Sequence, residues 1–179
     1  MWLNITILAL VLLQRLVELH IAPRNTARLL DRGGVELGSN HYPVIVALHA
    51  IWLAGLWYLV VTRVPEVSTP WIFAYLVLEA GRGWVIAALG SRWTTRIIVV
   101  PGETLVSEGP YKYIRHPNYL VVAGEIFILP VAFGLWWYAV IFGLVNLAVL
   151  WWRIRAEDEA LKPLRDEAQP PDSPEDAAP

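Results

Sequence analysis

Between residues 104 and 119 the chain presents Thr104, Leu105, Val106, Gly109, Pro110, Tyr111, Arg115, His116, Pro117 and Tyr119 in that order. A second group, Arg153, Glu157 and Asp158, follows near the C-terminal end. Pro101-Gly102 and Gly109-Pro110 are turn signals. The Thr104–Val106 stretch between them is mostly apolar and β-branched at its ends, which predicts an extended, strand-like piece whose backbone N–H and C=O groups could meet a flat heterocycle. His116 precedes Pro117 and is therefore biased to an extended backbone, while Pro117 suits the first turn of a helix. Arg115, His116 and Tyr119 are thus presented at a helix mouth. Arg153 and Glu157, at i and i+4, share one face of a helix. Converging on one pocket, an Arg, a His, a Tyr and a Glu can orient an anion, take up a proton and stabilise an oxyanion. Each has an ordinary reading as well: Arg153, Arg155 and Lys162 as membrane anchors, Arg153–Glu157 as a helical ion pair, Arg115 and His116 as headgroup contacts. Their occurrence together, on one side of a membrane, favours chemistry.

The elements that must position these residues are set by composition. Of 179 residues, 56% are hydrophobic and only 17% charged, with ten Trp and no Cys. Soluble domains average about 25% charged residues. The apolar residues fall in blocks of about 15–20, the length that crosses a bilayer core of roughly 30 Å. Spans are expected at about 1–21, 43–62, 70–90, 119–133 and 136–152, the last two from one long apolar stretch that turns near Gly134. The first block has no basic residue before it and no small-x-small cleavage site after it, so it reads as a retained helix. The expected fold is an all-α integral membrane protein, five transmembrane helices closing with a C-terminal hairpin around a cytoplasmic cofactor pocket. A single domain would cover 1–162, and the Pro-rich acidic segment 163–179 reads as a disordered tail. The absence of Cys excludes disulfides, thiolate metal sites and a thiol nucleophile, and no metal site is expected. A net charge of −2 gives no reason to expect a nucleic-acid partner.

Eleven of the fourteen Lys and Arg lie in the 21–42 loop, the 91–118 loop and the tail, against Arg63 alone on the opposite side. The positive-inside rule then places the N-terminus outside and the 91–118 loop and tail in the cytoplasm. Ionisable residues also fall inside spans. Arg15–Glu18 reads as an interhelix pairing unit, and Arg82 and Glu125 as candidates for an acceptor channel. His49 and Asn146 are expected to hydrogen-bond between helices. His41-Tyr42, at the cytoplasmic start of the second span, could cap an acceptor pocket.

The ordered set Gly109-Pro110-Tyr111, Arg115-His116-Pro117-x-Tyr119 and Arg153-Ile154-x-x-Glu157-Asp158-x-x-Leu161 resembles the isoprenylcysteine carboxyl methyltransferase family of membrane enzymes. The N-terminal features Gln14-Arg-Leu-Val-Glu-Leu19, Arg24-Asn25, Glu36-x-Gly38 and His41-Tyr42 are similar to a bacterial branch that O-methylates alkylpyrones or alkylresorcinols. The resemblance implies S-adenosylmethionine as cofactor, lying against the 104–111 strand and turn. His116 and Tyr119 would hold its polar end, Glu157 would sit near its amino group, and Arg153 would face a lipophilic acceptor. Arg153 and Glu157 are the implied catalytic pair. Arg82, Glu125 and His41 are read as further acceptor contacts. Asp158 departs from the second Glu common in the family, and no Gly-x-Gly-x-x-Gly of the soluble methyltransferases is present. A carboxylate acceptor would need no base, whereas a phenol or enol would need a proton acceptor or a cation that lowers its pKa. The competing expectations are a membrane reductase of the sterol-reductase type using NADPH and a non-enzymatic lipid-binding scaffold. Oligomeric state cannot be read from the sequence.

Overall fold

The computed structural model describes residues 1–168. Five helices account for most of it: α1 (Trp2–Asp31), α2 (Tyr42–Arg63), α3 (Thr69–Leu89), α4 (Pro117–Ala132) and α5 (Trp136–Ala168). Pro43, Pro70 and Pro117 each stand in the first turn of a helix, where the missing N–H costs nothing and φ is already helical. Gly134, at φ 69°, makes the turn between α4 and α5. The protein is an all-α integral membrane protein in which α1, α2, α3 and α5 are long and apolar enough to cross a membrane, and α4 is a shorter apolar helix of 16 residues. Large apolar side chains such as Leu13, Ile51, Phe73 and Leu144 lie exposed on the outer faces, as a bilayer solvent permits.

Two boundaries differ from expectation. α1 runs ten residues past Ile21, because Ala22, Asn25 and Leu29 form a buried stripe on its far end and Asn25 donates to the Trp93 carbonyl at 2.8 Å. α5 continues to Ala168, since good helix formers added to an existing helix need no nucleation. The expected disordered tail is therefore helical over 163–168, and its remainder, 169–179, lies outside the described residues.

The ends of the bundle are distinct. At one, Asn4 Nδ2 donates to the Pro65 carbonyl at 2.7 Å and Ser68 N to the Ala132 carbonyl at 2.8 Å. This joins the N-terminus, the α2–α3 loop and the α4–α5 turn. At the other end, β1 (Val35–Leu37) pairs antiparallel with β2 (Ile97–Val99), Glu36 opposite Ile98. No sheet was expected there. The stretch Thr104–Val106, expected to be extended, joins no ladder; the sheet holds β1 and β2 alone among the described residues. Thr104 is held by Arg92, whose Nη1 donates to its carbonyl at 2.7 Å. Arg96 braces the ladder with two hydrogen bonds to Glu36, at 2.9 and 2.8 Å, and stacks over Tyr42 at 4.7 Å.

The main core fills the first end and the middle. Leu8 and Val11 of α1, Trp52, Leu56 and Val60 of α2, Tyr75 of α3 and Ile126, Leu129 and Phe133 of the α4 region are buried together with Tyr138 of α5. Tyr138 donates to the Trp52 carbonyl at 2.7 Å. This needs Gly55, where a Cβ would come within 2.5 Å of the Tyr138 hydroxyl.

Candidate functional site

At the β-ladder end, the last turns of α5 fold over the start of α4. The buried Arg153 donates from Nε to the Tyr119 hydroxyl at 2.9 Å and from Nη2 to the Thr95 carbonyl at 2.8 Å. The Tyr119 hydroxyl in turn donates to Glu157 Oε2. Arg153 and Glu157 do share one face, but they meet through Tyr119. His116 stacks on Tyr119 with ring centroids 5.5 Å apart, as residues at i and i+3 at a helix start can. Asp158 lies 3.2 Å from His116 Nε2 and 3.5 Å from Arg115 Nη2. Tyr111 approaches from the Gly109–Lys112 turn; burial, together with the Glu157 charge, pushes its hydroxyl above the ordinary tyrosine pKa. That turn depends on Gly109, at φ 59°, where a Cβ would lie 2.9 Å from that of Ala88.

Below this cluster is a cavity of about 680 Å³. Arg153, Tyr119, Asn118, Thr95 and Tyr42 form its mouth. Its walls are mainly apolar, with Leu12, Leu16 and Leu19 from α1 and Ile45, Val46, Leu53 and Trp57 from α2. Part-way down, Arg15, Glu18 and Arg82 reach the wall. They belong to a buried charge network. Arg82 makes a bidentate pair with Glu125, Nε to Oε1 at 2.6 Å and Nη2 to Oε2. Arg15 Nη2 reaches Glu125 Oε2 at 2.6 Å and its Nη1 reaches Glu18 Oε2 at 2.9 Å. Gln14 joins Glu18 to Glu79. Charges at such depth are costly unless paired, and here every carboxylate has a donor.

Residues 71–163 match the isoprenylcysteine carboxyl methyltransferase (ICMT) family. The chain belongs to this family. It is 35% identical over 159 residues to the uncharacterized protein YpbQ of Bacillus subtilis, covering 87% of this chain and 95% of that protein. An uncharacterized protein of Haemophilus influenzae is 28% identical over 173 residues, covering 92% of this chain and 97% of its own length. No solved structure gives a significant match. This ICMT-family chain is a membrane methyltransferase.

The family match spans both halves of the cluster, and the fold brings together Tyr111, Arg115, His116, Pro117, Tyr119, Arg153 and Glu157. Thr104 is held through its carbonyl by Arg92, and Leu105 and Val106 follow it along the same extended stretch toward the Gly109 turn. His41 packs edge-on against Trp152 at 6.0 Å and is buried beneath Gly38, so the wall position goes to Tyr42. Glu125 stands behind Arg82 and Arg15, not on the cavity surface. His49 does not join helices: its Nδ1 bonds the Ile45 carbonyl of its own helix at 2.8 Å. The two amide atoms of Asn146 are buried with no hydrogen-bond partner among the described residues, so neither residue makes the expected interhelix bond. Thr95 and Asn118 were not anticipated. Asn118 occupied the unspecified position in the His-Pro-x-Tyr motif, and the Thr95 contribution is a backbone carbonyl, which no side-chain pattern announces.

Proposed function

We propose that this protein is an S-adenosylmethionine-dependent O-methyltransferase that acts on a lipophilic acceptor at the cytoplasmic face of the membrane. The observation that carries the reading is the Arg153–Tyr119–Glu157 chain standing at the mouth of a largely apolar cavity between α1 and α2. The donor set fits the cofactor. A zwitterionic aminocarboxylate calls for cations and anions side by side, which Arg115, His116, Glu157 and Asp158 supply. The buried Asn118 Oδ1, without a protein partner among the described residues, adds an acceptor. Tyr111 and the Gly109-Pro110 turn would border the same site.

When bound, the cofactor supplies a methyl group already activated on a cationic sulfur. The chain must then orient, exclude water and manage one proton; orientation alone can contribute roughly 7–11 kcal/mol in favourable cases. Arg153 is held by Tyr119 and Thr95, so its remaining N–H groups are fixed toward the cavity it lines and can orient an acceptor oxygen and stabilise its anion. For a phenol or enol, Glu157 Oε2, beyond the Tyr119 hydroxyl, is the destination for the proton. A carboxylate needs only the Arg153 contact. The apolar walls receive the acceptor's hydrocarbon part. Alkylpyrones, alkylresorcinols and prenylcysteines are the acceptor types that meet these demands.

The test is to supply methyl-labelled S-adenosylmethionine to membranes containing the protein, with each acceptor type, and follow label into the lipid extract. Base-stable label would mark an ether and base-labile label an ester. Absence of transfer to all three overturns the reading.

A further inference from the structure

The cavity has a second polar level that the transfer chemistry does not use. His49 lines it, and the bond from its Nδ1 to the Ile45 carbonyl requires the ring proton on Nδ1, because a carbonyl can only accept. In the neutral ring, Nε2 is then a bare acceptor. It has no partner among the described residues and is not sealed from the cavity. Arg15, Arg82 and Glu125 are its charged neighbours. Arg15 lines the same wall with its side chain 17% exposed. Of its five donors, one goes to Glu18 and one to Glu125.

The level lies at a defined depth. Tyr42 belongs to the mouth through its contact with Thr95, and His49 is seven residues further along α2, about 10 Å by helical rise. On α4, Tyr119 at the mouth and Glu125 in the network are six residues apart, about 9 Å. The two helices agree.

The available groups select the ligand chemistry. With all five ionised, the network holds three carboxylates (Glu18, Glu79, Glu125) against two guanidiniums (Arg15, Arg82), so a further anion is disfavoured. A carbonyl could use the Arg15 donors but would leave the His49 lone pair unmatched. A hydroxyl donates and accepts through one atom and satisfies both. We propose that His49 and Arg15 form a second acceptor subsite, which recognises an uncharged hydroxyl carried about 9–10 Å from the methylated oxygen. The inference rests on the acceptor role of the cavity.

The experiment titrates the full chain in lipid nanodiscs, without cofactor, with two series of 4-alkylphenols: plain, and with one hydroxyl walked along the chain. Wild type is expected to bind the best-placed hydroxyalkylphenol roughly tenfold more tightly than the plain compound, the size set by a hydrogen bond to a charged partner. In His49→Leu the ratio of the two affinities should fall close to one. The 15N signal of His49 Nε2 in histidine-labelled wild type should move with the hydroxylated probe and not with the plain one. Equal affinities in wild type, a preference that survives His49→Leu, or a stationary Nε2 signal would each overturn the subsite. Methyl transfer is measured in parallel: a binding preference without any transfer would leave the subsite standing and remove the methyltransfer reading of the cavity.

Discussion

Replacing Tyr119 by Phe takes one oxygen from the centre of the site and little else. That oxygen accepts from Arg153 Nε at 2.9 Å and donates to Glu157. Both partners are charged, and hydrogen bonds of that kind contribute about 1.5–3 kcal/mol each. The full sum is not lost, because Arg153 keeps the Thr95 carbonyl and the half-buried Glu157 can take water. The net effect is then close to one such bond, about 2–3 kcal/mol, or roughly 30–160-fold in kcat/KM. The Phe ring keeps the stack on His116, so the loss should appear mainly in kcat. The assay is labelled methyl transfer into lipid extract, with kcat and KM measured for purified wild type and Tyr119→Phe in nanodiscs. A folded variant within about threefold of wild type would refute the claim that Tyr119 couples Arg153 to Glu157 during transfer.

Four further outcomes follow from the geometry. Glu125→Ala leaves Arg82 and Arg15 facing each other without their shared anion, which should cost about 3–5 kcal/mol; thermal unfolding in micelles reads it, and Arg82→Leu with Glu125→Leu should recover much of the loss. Gly109→Ala puts a Cβ 2.9 Å from Ala88 on a backbone at φ 59°, costing about 1–2 kcal/mol for the left-handed conformation alone, and should weaken S-adenosylmethionine binding in equilibrium dialysis. Arg96→Ala removes the half-exposed pair with Glu36 and the stack over Tyr42 and should change stability by about 0.5–2 kcal/mol, less at high salt; a larger shift in the melting curve would mean the β-ladder carries more of the fold. Because the chain has no Cys, single cysteines replacing Glu66 and Lys112 can be probed with a membrane-impermeant maleimide. Only the Glu66 position should react in intact cells.

The residues that the fold gathers at the cavity mouth were legible because the sequence holds them in short motifs. Pro117 at a helix start and an i, i+4 pair on α5 are local facts, and local geometry follows from sequence spacing. The hairpin turn at Gly134 was readable for the same reason. What escaped were long-range partnerships. Thr104–Val106 has the composition of a strand, but which segment pairs with β1 is a tertiary matter, and 97–99 takes that place. His49 has an acceptor on its own helix, so its polarity gave no information about neighbouring helices. Glu125 was recognisable as a costly intramembrane charge, yet that two arginines from α1 and α3 would surround it depends on how three helices pack.

Composition by itself determined that this is a helical membrane protein, because blocks of apolar residues about one bilayer long have no stable alternative. The ordered motifs likewise carried the resemblance to a methyltransferase family. Only the tertiary structure decided how the charges divide their work. Arg153 is threaded through Tyr119 to Glu157 at the cavity mouth, while Arg82 and Arg15 are occupied by Glu125 deeper down. Hydrophobic patterning specifies which face of a helix is buried, but a charge's partner is set by a distance of a few ångströms between helices, and that distance exists only once the bundle has packed.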